Sequence, residues 1–283
     1  MDFQSHIFGV LVGAVLLASP AHVWADFIRT LDFGSDPGWS TSGNGSNGNN
    51  FGYRASSNAG GSLGEAGGRF TRSNSFRYYA DTSLGGTLTL NNSVTTSGRF
   101  DYTSAQSPDF VNGLFLGYFQ SSTENYAMGI YFSNGGSDAS KLAWGINVRG
   151  DSYNVVSSQT TIDANIDRTW SFNWNPTGGT SGFGELTATL SGPGGGTKIV
   201  DMPSGTTLRD AAHFDAFGLM GTNVNASANS SLYADVYVDN LSYTVASVPE
   251  PSSALLALLA SAAFAGYTRS SSLRQKFRER FNR

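Results

Sequence analysis

The acidic residues in the middle of the chain are the first candidates for chemistry, because a pair of carboxylates can cleave a glycosidic bond. That reaction needs two carboxyl groups close together, one acting as nucleophile or base and the other as proton donor. The glutamates of residues 26–247 are isolated from one another: Glu65, Glu124 and Glu185. Asp163 and Asp167 flank a short stretch typical of a turn, where aspartates are exposed to solvent. This spacing disfavours a glycosidase.

Histidine and cysteine, which serve as nucleophiles, bases and metal ligands in many enzymes, are scarce. The chain has three histidines and no cysteine. Because His6 and His22 lie in an N-terminal segment with the pattern of a removable secretory signal, His213 is the histidine left for the folded domain. Its apolar neighbours are typical of a structural histidine and not of a general base. A closed zinc site is excluded because it needs several histidine or cysteine ligands.

Aromatic side chains could bind sugar rings by stacking, which gives carbohydrate binding without catalysis. The candidates in the predicted strands are Trp144, Trp170, Trp174 and Tyr118, with Tyr131 and Tyr153 as further members. Trp39 and Tyr53 flank a loop rich in glycine and asparagine, and we expect them to be more exposed. The alternative is that such aromatic residues fill the core between two sheets. The sequence leaves both roles open.

These residues lie on short stretches with alternating or aromatic-rich patterns, separated by clusters of glycine and asparagine. Such stretches are typical of strands, and only residues 207–213 could form a short helix. Low complexity at residues 40–50 predicts a mobile loop. Many strands without intervening helices predict an all-β fold, an antiparallel two-sheet sandwich in preference to a barrel. We predict strands at residues 27–33, 51–56, 68–72, 76–80, 87–90, 95–102, 113–120, 126–132, 142–149, 153–158, 169–174, 184–190, 197–201, 214–220 and 232–245.

The charge distribution divides the chain into an acidic domain and a basic C-terminal end. Residues 26–248 carry 11 basic and 18 acidic residues, a net charge of −7, whereas the whole chain has a net charge of −4. An acidic domain repels phosphate backbones, which argues against nucleic acid as a partner. Because cysteine is absent, no disulfide can stabilise the domain, and its stability must come from the core or from bound ions.

The N-terminus has the pattern of a secretory signal peptide, residues 1–25. The apolar run at residues 7–18 is too short to span a bilayer comfortably, and Pro20 ends it. Val23 and Ala25 then occupy the two positions that a signal peptidase reads, which predicts cleavage after Ala25. The domain that follows, residues 26–247, is therefore expected outside the cytoplasm.

The C-terminus, residues 248–283, has three parts. The first is a proline-bracketed acid: Val248, Pro249, Glu250 and Pro251. Its two prolines can continue neither a strand ladder nor the interior of a helix. Residues 252–268 contain no charge and predict a transmembrane helix, whose rise of about 26 Å is marginal against about 30 Å of hydrocarbon. Residues 269–283 carry six basic residues and one acid, which would hold that end in the cytoplasm.

These three parts in this order resemble the PEP-CTERM sorting signal of exported proteins from Gram-negative bacteria. The resemblance covers residues 248–283. It implies that the apolar helix holds the protein in the inner membrane until an exosortase, a membrane enzyme resembling a transpeptidase, cuts near the Pro-Glu-Pro segment. The implied partners are the exosortase and, transiently, the inner membrane. The implied location is membrane-anchored after export, and then cell surface or extracellular.

The strand pattern of most of residues 70–245 resembles the concanavalin A-like lectin and glucanase domains. The segments that carry this resemblance are residues 113–118 with 126–132, 170–176 with 184–190, and 235–244. The resemblance implies a jelly-roll sandwich and a structural calcium ion at Asp235 and Asp239 on the closing strand. Asp32 or Asp36 near the first strand could complete the set of oxygen ligands that calcium prefers. The alternative is that Asp235 and Asp239 are outward-facing residues of an alternating strand.

Taken together, these features predict an exported, non-enzymatic protein of the cell surface or extracellular matrix. Its sandwich would bind a glycan or act as a structural component of an exopolysaccharide layer. The alternative is a divergent polysaccharide hydrolase or lyase on the same fold. Laminarinase-type relatives place their carboxylates in a Glu-x-Asp-x-x-Glu pattern, which is absent here. Two acids converging in a groove, about 5–10 Å apart, would distinguish an enzyme from a binding protein.

Overall fold

The computed structural model describes residues 27–106, 113–135, 138–150, 153–204, 212–221 and 227–246. The signal peptide, the Pro-Glu-Pro segment, the transmembrane helix, the basic tail and most of the short helix predicted at residues 207–213 lie outside the described residues. Within the described ranges the strands are β1 (Phe27–Leu31), β2 (Ser40–Ser42), β3 (Asn50–Arg54), β4 (Glu65–Arg72), β5 (Arg77–Asp81), β6 (Val94–Gln106), β7 (Leu114–Phe119), β8 (Ala127–Asn134), β9 (Leu142–Gly150), β10 (Tyr153–Val156), β11 (Thr160–Ile162), β12 (Arg168–Asn175), β13 (Glu185–Leu190), β14 (Gly196–Asp201), β15 (Ala216–Gly221) and β16 (Asn229–Val245).

The strands form two antiparallel sheets that pack face to face as a sandwich. Sheet A has the order β14-β13-β12-β6-β16-β4-β3, with β1 also paired to β16. Sheet B has the order β10-β9-β8-β7-β15-β5-β2, with β11 also paired to β9. The prediction of an all-β, two-sheet antiparallel sandwich is therefore confirmed for the described residues. In those same ranges, no helix has the length and apolar character needed to cross a membrane.

Strand β12 illustrates how the sequence produces the core. Trp170, Phe172 and Trp174 alternate with polar residues, and because successive side chains of a strand point to opposite faces, all three face sheet B and are buried. Burying each such ring stabilises the fold by about 1.5–3 kcal/mol relative to leaving it exposed. Thr169 and Asn173 point outward and are exposed. The outer face of sheet A is accordingly polar.

The outer face of sheet B differs, because its centre is apolar as well. Phe115, Phe119, Ala216 and Met220 lie on this face and are buried, with Tyr131 packed beside them. Strands β7 and β15 are therefore buried along their whole length, on both faces. This explains why their sequences are nearly continuous apolar runs and show no alternation.

The loop at residues 40–50 differs from the mobile segment that its composition predicts. Its first three residues form strand β2, which pairs with β5. Asparagine side chains then replace the missing backbone partners: the Asn44 carbonyl oxygen accepts from Phe51 N at 3.0 Å, and that of Asn49 accepts from Thr71 N at 2.9 Å. Asn47 donates to the Arg72 carbonyl oxygen at 2.8 Å. The polar residues that suggested mobility are the ones that hold this loop in place.

Other differences from the predicted strands are small. Strand β11 was not predicted, and residues 87–90 form only a single bridge, between Leu88 and Phe214. Strand β16 is longer than predicted and contains an irregularity near Asn240, whose φ is 49°. Asparagine tolerates this left-handed conformation better than most residues. The irregularity separates the part of β16 that pairs with β4 from the part that pairs with β1.

Candidate functional site

A cleft of about 530 Å³ lies at the side of the sandwich where β1 and the end of β16 face β2 and β5. We call it the Asp81 cleft. Its lining includes the side chains of Arg29, Trp39, Ser40, Asp81, Thr82 and Tyr243. Each sheet contributes residues, so the cleft exists only once the two sheets have packed. Clefts of this size that combine an aromatic wall with a few convergent polar groups are typical ligand sites.

Asp81 is the centre of the polar network in this cleft. Its Oδ1 accepts hydrogen bonds from the amide and the hydroxyl of Ser83, at 2.8 and 2.7 Å. Its Oδ2 accepts from the Tyr243 phenol at 2.7 Å and from the Arg29 guanidinium, which forms an ion pair with it. Although Asp81 is only 3% exposed, both of its oxygens are satisfied. Its side chain is therefore held in one orientation.

The network shifts the acidity of both buried groups. Burial by itself raises the pKa of Asp81, but the hydrogen bonds from Ser83 and Tyr243 and the charge of Arg29 outweigh it, so the pKa is lowered. Burial, and then the hydrogen bond to the Asp81 carboxylate, raise the pKa of the Tyr243 phenol. Asp81 is consequently a carboxylate and Tyr243 a neutral hydrogen-bond donor across the physiological pH range.

Trp39 forms the aromatic wall of the cleft. It is half-buried, and its ring packs against Phe33 at 5.3 Å, Tyr79 at 5.4 Å and Tyr243 at 6.4 Å between ring centroids. These contacts hold the ring in place while part of it faces the cleft. At the rim, the hydroxyls of Ser40 and Thr82 are hydrogen-bonded at 2.7 Å and are exposed. An indole wall with charged and hydroxyl groups around it suits a polyhydroxylated ligand.

The aromatic residues that the sequence singled out for stacking lie in the core instead. Trp144, Trp170, Trp174 and Tyr118 are at most 2% exposed. Each also uses its polar atom within the protein: the three indole N–H groups donate to the carbonyls of Gly194, Arg99 and Leu90, and the Tyr118 phenol donates to that of Thr244. In this structure their rings fill the space between the sheets and are not available to a sugar, because no surface of them faces solvent. Tyr131 is half-buried on the outer face of sheet B.

The two aspartates predicted to bind calcium have different surroundings. Asp235 forms a bidentate ion pair with Arg69, with N–O distances of 2.8 and 2.7 Å. A carboxylate already paired with a guanidinium is a poor calcium ligand, so Asp235 does not fit the predicted site. This result agrees with the alternative in which Asp235 is an outward-facing strand residue.

Asp239 fits the prediction better. It is fully buried, and its Oδ2 has no hydrogen-bond partner among the described residues. The loop backbone covers it closely, since a Cβ added at Gly61 would lie 2.4 Å from this oxygen. Burial, with the nearby charges of Glu65 and Asp32, raises the pKa of Asp239 to about 6. A calcium site shared by Asp239 and Asp32 stays a prediction.

Carboxylates alone do not complete a metal site around Asp239. In the part of the chain that the structure describes, no three or more histidine, cysteine, aspartate or glutamate side chains are grouped as metal ligands. Glu65 is buried, and its oxygens accept hydrogen bonds from Ser56, Asn58 and the Ala59 amide, at 2.6–2.8 Å. A cation here would therefore need backbone carbonyl or water oxygens in addition to Asp239.

The three glutamates of the domain do not converge with one another. Glu65 and Glu185 begin strands β4 and β13, which are four strand positions apart in sheet A, about 19 Å. Glu124 lies in the turn between β7 and β8, in the other sheet. Its pKa is raised by burial, against the opposing charges of Arg149 and Arg77. His213 is exposed just before β15. Of the described residues that line the Asp81 cleft, Asp81 is the one carboxylate.

Sequence reasoning singled out Trp39 but not its partners in the cleft. Asp81 is 52 residues from Arg29 and 162 residues from Tyr243, and no local pattern links such positions. The sequence does contain one signal that the core aromatic residues are buried. Trp170 and Trp174 are each two residues from Phe172, and Trp144 is two residues from both Leu142 and Ile146. That period places these tryptophans on the same face as residues that are certain to be buried.

No family model matches the chain, and no curated protein matches its sequence. Several solved structures are similar over most of the domain. The alginate lyase Aly36B is 11% identical, with 76% of this chain and 96% of that chain covered and a TM-score of 0.38. The CBM2 module of the evolved Dit protein of Lactobacillus casei BL23 phage J-1 is 12% identical, with coverages of 80% and 99% and a TM-score of 0.40. The carbohydrate recognition domain of Emp47p is 10% identical, with coverages of 81% and 99% and a TM-score of 0.39.

Proposed function

We propose that this chain is an exported, non-enzymatic protein of the cell surface or extracellular matrix whose jelly-roll sandwich binds a glycan in the Asp81 cleft. The observation that carries the proposal is the arrangement of Trp39 beside a fully satisfied network of Asp81, Arg29 and Tyr243. Because these groups are already held by the protein, a ligand would not have to order them on binding, and less of its binding free energy is lost.

The chemistry of the cleft matches a sugar better than it matches an apolar ligand. Its wall offers an indole ring for the apolar face of a pyranose, and its rim offers hydroxyls and a guanidinium for the ring hydroxyls. The Arg29 side chain is 37% exposed, so part of it can still reach a ligand while it pairs with Asp81. A volume of about 530 Å³ lies within the range of small-molecule sites.

The same groups argue against a hydrolase or lyase in this cleft. A glycosidase needs two carboxylates, and the described residues that line the cleft supply only Asp81, which is paired with Arg29. A lyase needs a base to remove a proton next to a carboxyl group. Because its pKa is raised, the Tyr243 phenol keeps its proton near neutral pH and serves poorly as that base.

Sorting through the C-terminal PEP-CTERM signal is part of the same proposal. Residues 248–283, with Pro249, Glu250 and Pro251, would bring the protein to an exosortase, and cleavage would release the domain from the inner membrane. The supporting observations are the uncharged stretch at residues 252–268 and the basic end that follows it. Mass spectrometry of the mature protein from its own cells tests this step, because an intact C-terminal Arg283 would contradict it.

A glycan array probed with the purified full-length protein tests binding, with neutral and acidic polysaccharides on the same surface. The variant Trp39→Ala should weaken binding to any positive polysaccharide by about tenfold or more. Ile199→Ala is the matched control, because Ile199 is an exposed apolar residue on β14, outside the cleft. Thermal unfolding of both variants separates lost binding from lost folding. Silence across the array, or equal affinities for a folded Trp39→Ala and the control, would contradict the proposal.

A further inference from the structure

A second depression, separate from the Asp81 cleft, lies on the outer face of sheet A, where β3, β4 and β16 run side by side. We call it the arginine groove; it has a volume of about 490 Å³. Its lining includes Asn50, Arg54, Gly68, Arg69, Asp235 and Tyr237. It shares no residue with the Asp81 cleft. Any ligand bound here would therefore be held by a different set of side chains.

Glycine backbone lines part of the groove, at Gly48 and Gly68. Gly68 on β4 is paired with Phe51 on β3. At Gly68 an added Cβ would lie 2.2 Å from the Asn50 carbonyl oxygen and 3.1 Å from Nη2 of Arg54. A larger residue here would clash with the backbone and push the guanidinium away. Gly68 thus leaves room for the Arg54 side chain.

Both arginines of the groove are positioned by neighbours that leave other N–H groups unused. Arg69 donates to Asp235 through Nε and Nη2, and its guanidinium lies 3.8 Å from the centre of the Tyr233 ring. Arg54 donates through Nη2 to the carbonyl oxygen of Asn50 at 2.6 Å and to its side-chain oxygen. Among hydrogen bonds between described residues, none uses Nη1 of either arginine. Those donors remain for another acceptor.

The charge of the groove is positive within an acidic domain. Among the side chains that line the groove, two are guanidinium groups and one, Asp235, is a carboxylate. The carboxylate of Glu65, which also acts on Tyr237, is buried and accepts hydrogen bonds from its own loop. Burial, and then the charge of Asp235, raise the pKa of the Tyr237 phenol, so it stays a neutral hydrogen-bond donor. A planar fork of N–H donors matches the paired oxygens of a carboxylate or a sulfate. A single lysine would supply the charge without that geometry.

We propose that the arginine groove binds an oxyanion, a carboxylate or sulfate group, carried by an acidic polysaccharide. Arg54 supplies its free donors directly, and Arg69, held over the Tyr233 ring by Asp235, adds its unused Nη1 donor. The ligand class follows from the donors: the groove offers N–H and O–H groups, and its one carboxylate is already paired. The groove would hold the charged groups of a polymer, whereas the Asp81 cleft would hold its hydroxyls.

The experiment measures binding of the full-length protein to three polymers: alginate, which carries carboxylates; dextran sulfate, which carries sulfates; and neutral dextran. The main variant is Arg54→Gln, which removes one charge and its fork without leaving a buried partner unpaired. Lys198→Gln is the matched control, since it removes one positive charge from β14, at the opposite edge of sheet A and about 29 Å away by strand count. Arg54→Lys keeps the charge but not the fork.

The expected result is binding of alginate, dextran sulfate or both, weakened about tenfold by Arg54→Gln and less than about twofold by Lys198→Gln. Binding of alginate alone identifies the carboxylate as the ligand group, and binding of dextran sulfate alone identifies the sulfate. Arg54→Lys should recover only part of the affinity. The proposal is overturned if neither charged polymer binds, if the two glutamine variants are equal, or if Arg54→Gln weakens neutral dextran by the same factor. Because Trp39→Ala tests the other site, either proposal can fail while the other stands.

Discussion

Asp81 and Asp239 are both carboxylates that the fold removes almost completely from solvent, yet their surroundings are opposite. Asp81 accepts hydrogen bonds on both oxygens and faces an arginine, and its pKa is lowered. Asp239 has one oxygen without a partner among the described residues. Burial, with the charges of Glu65 and Asp32, outweighs the hydrogen bond from the Asn240 amide and the charge of Arg99, and raises the pKa of Asp239 to about 6. Burial is nearly the same for the two; the partners are not.

The comparison shows that burial alone does not decide what an acidic residue does. Burial disfavours the charged form of any carboxyl group, and hydrogen bonds and opposite charges must outweigh that cost. At Asp81 they do, so the carboxylate holds the wall of a cleft in one conformation. At Asp239 they do not, so its carboxyl group binds a proton more readily than an exposed one does. Substitutions of Asp81 and Asp239, together with changes of calcium and pH, test this difference.

Replacing Asp81 should give the largest loss of stability. Asp81→Ala leaves the Tyr243 phenol buried without its acceptor and removes the carboxylate that forms the ion pair with Arg29. We therefore expect the free energy of unfolding to fall by about 2–4 kcal/mol at pH 7. Asp138→Ala is the matched control, because Asp138 makes the same pair of bonds to the amide and hydroxyl of Ser140 but is exposed. Urea denaturation measures both. Equal losses would show that the buried network contributes no more than a surface turn.

Replacing Asp239 should have the opposite sign. In the presence of a chelator, Asp239→Asn removes a buried negative charge whose Oδ2 has no hydrogen-bond partner among the described residues, while the hydrogen bond from the Asn240 amide to Oδ1 can remain. We expect the free energy of unfolding to rise by about 1–3 kcal/mol at pH 7. The measurement is urea denaturation in chelator, with Asp235→Asn as a comparison that breaks an ion pair. A loss of stability in Asp239→Asn would mean that its carboxylate is satisfied in solution.

The effect of calcium on the melting temperature should also distinguish Asp239 from Asp81. If Asp239 and Asp32 contribute to a calcium site, millimolar calcium should raise the melting temperature of the wild type and leave that of Asp239→Asn unchanged. At 100 times the dissociation constant the expected stabilisation is about 2.7 kcal/mol, and at lower saturation it is smaller. Differential scanning calorimetry with calcium and with chelator gives the answer. An unchanged wild-type melting temperature would contradict the predicted calcium site.

The pH dependence of the two variants should have opposite directions. Because the folded pKa of Asp239 is raised, the stability it contributes is present below its unfolded pKa of about 3.9 and is lost as the pH rises to about 6. The advantage of Asp239→Asn in chelator should therefore vanish near pH 4. Because the folded pKa of Asp81 is lowered, its contribution is complete above its unfolded pKa and is lost as the pH falls through the folded value. Denaturation curves between pH 3 and pH 7 give the stability of each variant minus that of the wild type. As the pH falls, this difference should decrease for Asp239→Asn and increase for Asp81→Ala, and a change in the same direction for both would contradict the prediction.

Most of the fold could be predicted because strands follow local rules. Alternation and aromatic content placed most strands within a few residues of their observed bounds, and the count of strands without helices predicted the sandwich. The loop at residues 40–50 could not be predicted in the same way. Asn44 and Asn49 hold backbone amides of strand residues, and Asn49 reaches 22 residues away to Thr71. Composition reports polarity, but it does not report where a side-chain amide finds its partner.

Less of the candidate sites could be predicted. Trp39 was expected to be exposed, and it is half-buried in the wall of the cleft. Asp239, with Asp32 or Asp36, was predicted to bind calcium, and this stays a prediction. The core tryptophans and Asp235 were assigned roles that their positions do not support. In each case the residue type suited the chemistry, but the partner was decided by distant parts of the chain: Gly194 for Trp144, and Arg69 for Asp235.

The sequence by itself determined the class of this protein: an acidic, cysteine-free, all-β domain between two terminal segments with the patterns of export signals. These properties follow from composition and from short periods, which need no knowledge of contacts. Only the tertiary structure decided which polar groups meet. Arg29, Asp81 and Tyr243 come together because β1 pairs with the end of β16 while β5 faces them from the other sheet. A carboxylate acts only through its neighbours within a few ångströms, and two of those at Asp81, Arg29 and Tyr243, are more than fifty residues away along the chain.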